Sequence, residues 1–134
     1  MGKTSDALPL AGLRVLDLST FIAAPAAAVV LGDYGADVIK IEQPGSGDPN
    51  REAVGFASYP DSEVDYPWLM DSRNKRSLAL DLKHPLAHEV LERLVRAADV
   101  LITNLPLAVR ERLKIRDLDL LRLNPRLVYA SLTG

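Results

Sequence analysis

Hydrophobic and polar residues follow one another in blocks that predict parallel strands separated by helices. Short apolar runs rich in β-branched residues are typical of strands buried on both faces of a sheet. Such runs predict strands at 13–18, 37–42, 77–82, 99–103 and 127–131. The helices lie between them, at 25–31, 84–98, 107–113 and 117–123, with a helical turn at 67–71.

The first strand, helix and strand form a βαβ unit, whose crossover is expected to be right-handed. The Ser19 and Thr20 hydroxyls are placed to cap the first helix, and Pro25 fits its first turn. Pro and Gly interrupt 43–66, which predicts a long loop. These elements predict an α/β fold with an open, mostly parallel sheet and helices on both faces.

In such sheets ligands bind at the carboxyl ends of the strands. The candidate ligand segments are therefore 19–25, 42–51, 104–107 and 131–134. The first strand-to-helix turn contains no glycine, which argues against a dinucleotide-binding motif. The chain also has no P-loop pattern, which argues against nucleotide hydrolysis.

Several basic side chains could bind a phosphate or could simply be exposed to solvent, and the local sequence does not decide between these two interpretations. Arg51 ends a glycine-containing loop, 74–77 is a basic patch with Lys83 beyond it, and 110–116 carries alternating cations. His84 and His88 are spaced i, i+4, but a metal site needs at least one more ligand, so no metal is expected. Aspartates at strand edges (Asp17, Asp37 and Asp99) are interpreted as caps or turn residues.

Composition narrows the function classes further. The 134 residues include 16 Lys and Arg, 18 Asp and Glu, and no Cys, which excludes disulfides, thiolate metal sites and a Cys nucleophile. The net charge of −2 divides into −6 for residues 1–70 and +4 for 71–134, and it argues against a nucleic-acid partner. No apolar run is long enough for a membrane span, and residues 1–9 do not resemble a signal peptide, so a cytoplasmic protein is expected.

Seven ordered blocks resemble the class III CoA-transferases, a family that includes formyl-CoA transferase, carnitine CoA-transferase and α-methylacyl-CoA racemase. The blocks are GLRVLDL at 12–18, AAP at 23–25, LGDYGADVIKIE at 31–42, PGSGD at 44–48 with Arg51, NKRSLALDLK at 74–83, DVLITN at 99–104 and LNPRLVYAS at 123–131. The resemblance implies that residues 1–134 are the N-terminal, CoA-binding, Rossmann-like portion of a larger two-domain fold. It also implies an interlocked homodimer.

The resemblance further implies that CoA, or an acyl-CoA, is the substrate, with a small carboxylic acid as its partner. The positions matched to CoA contacts are Phe21, Ala23, Gln43, Leu80, Lys83, Asn104, Leu105, Arg112 and Leu113. Leu80 would line an adenine slot, with Lys83 and Arg112 near phosphates. The chain departs from the family at Ala24, where glycine is common, at Gln43, where arginine is frequent, and in 105–108, which replaces a more aromatic run.

The family's reacting groups lie downstream of the block that ends at Gly134. Transferases use an aspartate that attacks the acyl-CoA thioester and passes through a mixed anhydride and an aspartyl-CoA thioester. Racemases use a His/Asp acid–base pair. The resemblance therefore implies a CoA-transferase portion that is inactive alone. The alternatives are the same portion of a racemase, a non-catalytic chain that pairs with a separately encoded remainder, and a folding fragment without function.

Overall fold

The computed structural model of the chain describes residues 7–132. Residues 1–6, which belong to the segment assessed for a signal peptide, and residues 133–134, which end the last candidate ligand segment, lie outside the described residues. The strands are β1 (Arg14–Leu18), β2 (Asp37–Glu42), β3 (Arg76–Ala79), β4 (Val100–Thr103) and β5 (Val128–Ser131).

These strands form one sheet in the order β3-β2-β1-β4-β5, and each neighbouring pair is parallel. The predicted open parallel α/β sheet is confirmed. The strand order changes direction on either side of β1, since β2 lies on one side of it and β4 on the other. This is the topological switch point at which open α/β sheets have a crevice for ligands.

Five helices connect the strands. They are α1 (Ala23–Asp33), α2 (Tyr66–Ser72), α3 (Ala87–Ala97), α4 (Leu107–Arg112) and α5 (Asp117–Leu123). The prediction of a long loop over 43–66 is wrong in part, because Pro49–Gly55 forms a 3-10 helix within it. Asp48 caps that helix by accepting a hydrogen bond from the Asn50 N–H, and Pro49 needs no partner in its first turn.

The start of α1 also differs from the prediction. The helix begins at Ala23 after Ile22, which provides no side-chain cap, so neither Ser19 nor Thr20 caps it. The Ser19 hydroxyl instead donates a hydrogen bond to the Asp17 carboxylate. The hydroxyl is thus used by a buried polar group of the sheet rather than by the helix.

The apolar residues divide between the two faces of the sheet, as the predicted helices on both faces require. On one face, Leu16, Leu101 and Ile41 pack against buried residues of α3 and α5 such as Leu91 and Leu120. On the other face, strand residues pack against the alanine-rich α1, the buried residues being Val15, Val38, Ile102, Ala24, Ala28 and Ala36. Small side chains let α1 approach the sheet closely. None of the helices within residues 7–132 is long and apolar enough to cross a membrane.

Gly35 ends α1 in a conformation that a side chain would not tolerate. Its φ is +106°, and a Cβ built on it would lie 2.6 Å from the Leu8 Cβ. Gly12 provides a matched comparison, because its φ is +91° but a Cβ there would meet nothing within 4 Å. A side chain at either position would bring the backbone strain of a left-handed residue, and only at position 35 would it also collide with a neighbour.

We expect Gly35→Ala to lower the free energy of unfolding by about 2–4 kcal/mol and Gly12→Ala by about 1 kcal/mol. Urea unfolding of the purified chain, followed by circular dichroism, measures both. Equal losses for the two variants would show that the contact with Leu8 contributes nothing to stability.

Candidate functional site

A cavity of about 210 Å³ lies at the carboxyl ends of the central strands. Its walls come from residues 18–20 at the end of β1, from the end of β2 and the following turn at 47–48, and from residues after β3 and β4. The cavity therefore occupies the switch-point crevice that the strand order predicts. Pockets that enclose whole small ligands measure about 300–1,000 Å³, so this cavity has room for part of a large ligand.

The wall combines an apolar lining with two cations. The apolar side chains are Leu18, Ile41, Leu80, Leu82, Leu105, Val109 and Leu113. Lys83 and Arg112 also line the cavity, and both are exposed to solvent. An apolar slot edged by cations suits a flat apolar ring that carries anionic groups.

Six of the nine residues implied by the resemblance line this cavity: Gln43, Leu80, Lys83, Leu105, Arg112 and Leu113. The other three, Phe21, Ala23 and Asn104, do not line it. Asn104 supports the wall from behind, because its side-chain amide both donates to and accepts from the backbone of Thr20. The sequence thus brings most of the matched positions to one place.

Most of the other basic candidates are neutralised by carboxylates. Arg51 forms a bidentate pair with Glu42, with both N···O distances 2.8 Å, and its guanidinium stacks 3.8 Å from the Trp68 ring centroid. Arg76 pairs with Asp37 in the same bidentate way. Arg51 therefore stabilises the fold through Glu42 and Trp68, and it is not available as the phosphate-binding group that the sequence left open. In contrast, Lys83 and Arg112 form no ion pair within residues 7–132.

Lys75, from the basic patch at 74–77, lies in the interior of the protein. Its side chain is 2% exposed, and its Nζ is 2.8 Å from the Asp17 carboxylate and donates to the carbonyls of Pro25 and Asp71. The pKa of Lys75 is lowered, because burial disfavours its charged form more than Asp17 favours it. This cation is unavailable to a ligand in the cavity.

Asp17 is likewise neither a cap nor a turn residue, which corrects the interpretation from sequence. It is fully buried in β1, opposite Lys40 of β2, and its carboxylate lies between Lys75 and Lys40. Lys40 is 2.8 Å from Asp48 and donates to the Ser19 carbonyl. Two carboxylates and two ammonium groups therefore balance one another beneath the site. Sequence reasoning missed this cluster, because a lysine within a strand is ordinarily exposed.

Glu42 ends β2 and begins the candidate ligand segment 42–51, but the sequence analysis assigned its carboxylate no role. Burial alone would raise its pKa, but hydrogen bonds from Arg51, Ser77 and the Asp48 N–H outweigh it and lower the pKa to about 2. Glu42 therefore stays ionised, and the charge of Arg51 balances its negative charge. The cavity wall therefore presents the charges of Lys83 and Arg112 without opposition from this carboxylate.

The two histidines lie on either side of the start of α3, His84 in the preceding turn and His88 within the helix. His84 is exposed, and its Nδ1 accepts a hydrogen bond from the Leu86 N–H in the turn that precedes α3. The predicted start of that helix at 84 is three residues early for this reason. In the part of the chain that the structure describes, no three His, Asp or Glu side chains are grouped as metal ligands.

Comparison with known proteins shows that the chain is similar to CoA-transferases. The family model described as CoA-transferase family III matches residues 10–134. The beta subunit of succinyl-CoA–L-malate CoA-transferase from Chloroflexus aurantiacus is 41% identical over 134 residues, which are 100% of this chain and 32% of that protein. Formyl-CoA:oxalate CoA-transferase from Rhodopseudomonas palustris is 39% identical over 125 residues, 93% of this chain and 29% of that protein.

A solved structure shows the same fold. The crystal structure of a CAIB/BAIF family protein from Brucella suis superposes with a TM-score of 0.84 and 35% sequence identity, covering 96% of this chain and 34% of that one. The chain thus spans about a third of the length of the curated relatives it matches.

We expect the Glu42–Arg51 pair to stabilise the fold in a pH-dependent way. Because the pKa of Glu42 is about 2 in the folded chain and near 4.5 without the fold, its contribution is complete above pH 4.5 and is lost as the pH falls towards 2. After allowance for the exposed Arg51, Glu42→Gln should cost about 1–2 kcal/mol at pH 7 and almost nothing near pH 2.

Urea unfolding at pH 7, 5, 4 and 3 measures this difference. Glu63→Gln, which removes a carboxylate from an exposed position outside this pair, is the control. If the difference in unfolding free energy between the wild type and Glu42→Gln stayed constant from pH 7 to pH 3, the lowered pKa of Glu42 would be contradicted.

Proposed function

The chain belongs to CoA-transferase family III, and on that premise we propose that the cavity binds the nucleotide end of a CoA thioester. The observation that carries the proposal is the pair of cations, Lys83 and Arg112, which form no ion pair among the described residues and lie at the edge of the cluster of leucines that lines the cavity. CoA carries an adenine ring, a 3′-phosphate and a pyrophosphate close together. The size of the cavity suits the adenine, and the cations suit the phosphates.

The proposed pose follows from the arrangement of the wall. Leu80 and Leu82 come after β3, and Leu113 follows α4, so the adenine would lie between these two segments. Lys83 and Arg112 extend from the same two segments and would meet the phosphates at the cavity mouth. Gln43 supplies a neutral polar group after β2, where relatives in the resemblance often carry a further cation.

For the whole protein we propose CoA transfer between carboxylic acids, through the aspartyl anhydride and aspartyl-CoA thioester implied by the resemblance. The names of the relatives, which are transferases acting on succinyl-CoA with malate and on formyl-CoA with oxalate, support transfer over racemisation. The proposed setting is a cytoplasmic homodimer. The molecular mass of the chain in solution, measured by light scattering, tests the dimer.

We expect the purified chain to bind CoA, and Lys83→Ala and Arg112→Ala each to weaken binding about 5- to 30-fold, the effect of losing one charge-assisted hydrogen bond. Isothermal titration with CoA and with 3′-dephospho-CoA measures this. If one of the two cations holds the 3′-phosphate, its replacement by alanine should weaken the binding of CoA but leave the affinity for 3′-dephospho-CoA unchanged.

Arg93→Ala is the matched control, because Arg93 is exposed on α3 and does not line the cavity. Equal losses in all three variants would indicate a general charge effect rather than a site. No binding of CoA to the wild-type chain would refute the proposed function.

We also expect no CoA transfer by the 134-residue chain itself, because the resemblance places the reacting carboxylate beyond Gly134. The assay incubates the chain with succinyl-CoA and L-malate, or with formyl-CoA and oxalate, and detects thioesters by mass spectrometry. Appearance of malyl-CoA or oxalyl-CoA would mean that the chain carries its own nucleophile.

A further inference from the structure

One buried carboxylate joins two separate walls of the cavity. Asp48, which is 2% exposed, lies in the turn after β2, and its Oδ1 accepts a hydrogen bond of 3.0 Å from the Phe21 N–H after β1. The same oxygen accepts from the Asn50 N–H at 2.9 Å. The contact with Asn50 caps the 3-10 helix, but the contact with Phe21 crosses to another segment and has no part in that cap.

Phe21 is held in a conformation that phenylalanine rarely adopts. Its φ is +63°, in the left-handed region, where a residue with a bulky side chain is strained. Such strain persists only where surrounding groups impose it. The hydrogen bond from the Phe21 N–H to Asp48 helps to impose this conformation. The neighbouring Thr20 is held by two hydrogen bonds between its backbone and the Asn104 side chain.

Lys40 fastens the arrangement to the sheet. Its Nζ is 2.8 Å from the Asp48 Oδ2 and donates to the Ser19 carbonyl at 3.0 Å. One ammonium group therefore contacts both walls, the segment after β1 through Ser19 and the segment after β2 through Asp48. Because Lys40 belongs to β2, its contacts hold both walls in fixed positions relative to a rigid strand of the sheet.

We propose that Asp48 is a positioning residue, which holds Phe21 in its left-handed conformation and thereby sets the shape of the cavity wall that receives the ligand. Lys40 keeps the Asp48 carboxylate in place. Asp48 itself lines the cavity, and it acts on the neighbouring wall through the backbone of the segment after β1. The inference rests on the proposed CoA site and adds to it a residue that positions one wall against the other.

A purely structural role makes a different prediction. If Asp48 served only to cap the 3-10 helix, a serine would replace it, because serine is also a good cap. A serine hydroxyl is shorter and uncharged, so it retains the cap at Asn50 while losing the pair with Lys40 and the reach to Phe21. Asp48→Ser therefore separates the two roles. Asp48→Asn keeps both acceptor contacts of Oδ1 but, like Asp48→Ser, loses the charge paired with Lys40, so it is the charge-matched comparison.

The decisive experiment is a double-mutant cycle with Phe21→Gly. Glycine adopts positive φ without strain, so it removes the need for a tether at this position. We expect Asp48→Ser to weaken CoA binding about tenfold in the wild-type background, and only two- to threefold in the Phe21→Gly background. Asp48→Asn should bind within about threefold of the wild type.

A ligand-free measurement accompanies the titrations. Hydrogen–deuterium exchange of the unliganded chain should show faster exchange in residues 19–22 for Asp48→Ser but not for Asp48→Asn. Asp71→Asn is the control, since Asp71 is a buried carboxylate of the neighbouring helix that does not line the cavity. It should change neither the exchange of 19–22 nor the affinity for CoA.

The outcomes separate the two proposals. An equal loss of affinity in both backgrounds, or unchanged exchange at 19–22 in Asp48→Ser, overturns the positioning role even if CoA binds. If the wild-type chain binds no CoA, the proposed function fails, and the exchange measurement alone decides whether Asp48 holds Phe21. If Asp48→Ser does not fold, Asp48→Thr, which also caps a helix and also lacks the reach to Phe21, completes the cycle with Phe21→Gly, and a coupling below twofold contradicts the proposal.

Discussion

The structure depends on the pairing of charges buried between the sheet and the helices on one face. Asp17 and Lys40 face each other across β1 and β2, Lys75 reaches Asp17 from the turn before β3, and Asp48 closes the group from the turn after β2. An unpaired charge in such a place destabilises a protein by about 3–5 kcal/mol, so each member requires the others. Because these residues come from separate segments, their balance fixes how those segments meet.

Ion pairing also explains much of the uneven charge of the chain. From the sequence, the excess of acidic residues before position 70 and of basic residues after it is compatible with a surface for an anionic ligand and equally with a solvated surface. Ion pairs that cross this division account for much of it, namely Asp17–Lys75, Asp33–Arg73 and Asp37–Arg76. The cations that remain at the cavity are few, and this is why Lys83 and Arg112 stand out as the groups available to phosphates.

The candidate site is thus built in two layers. The outer layer is an apolar slot with Lys83 and Arg112 at its edge, suited to one end of a large anionic cofactor. The inner layer is the network of Lys40, Asp48 and Glu42, in which Lys40 pairs with Asp48 and Glu42 pairs with Arg51; the two carboxylates also reach the cavity wall. A rigid, electrically balanced support lets the few free charges of the outer layer determine what binds.

The order of the strands and α-helices could be predicted from the amino-acid sequence, because hydrophobic period and turn residues are local properties. The βαβ opening and the five strands follow from these properties, and the seven blocks identify the family. Which cations are free can be seen only in the folded chain. Arg51 and Lys83 look alike along the chain, yet Arg51 lies against Glu42 and Trp68, whereas Lys83 faces the cavity. Charge pairing depends on residues far apart in sequence, so no local pattern reveals it. The same holds for Phe21, whose strained conformation is imposed by Asp48, a residue of another segment.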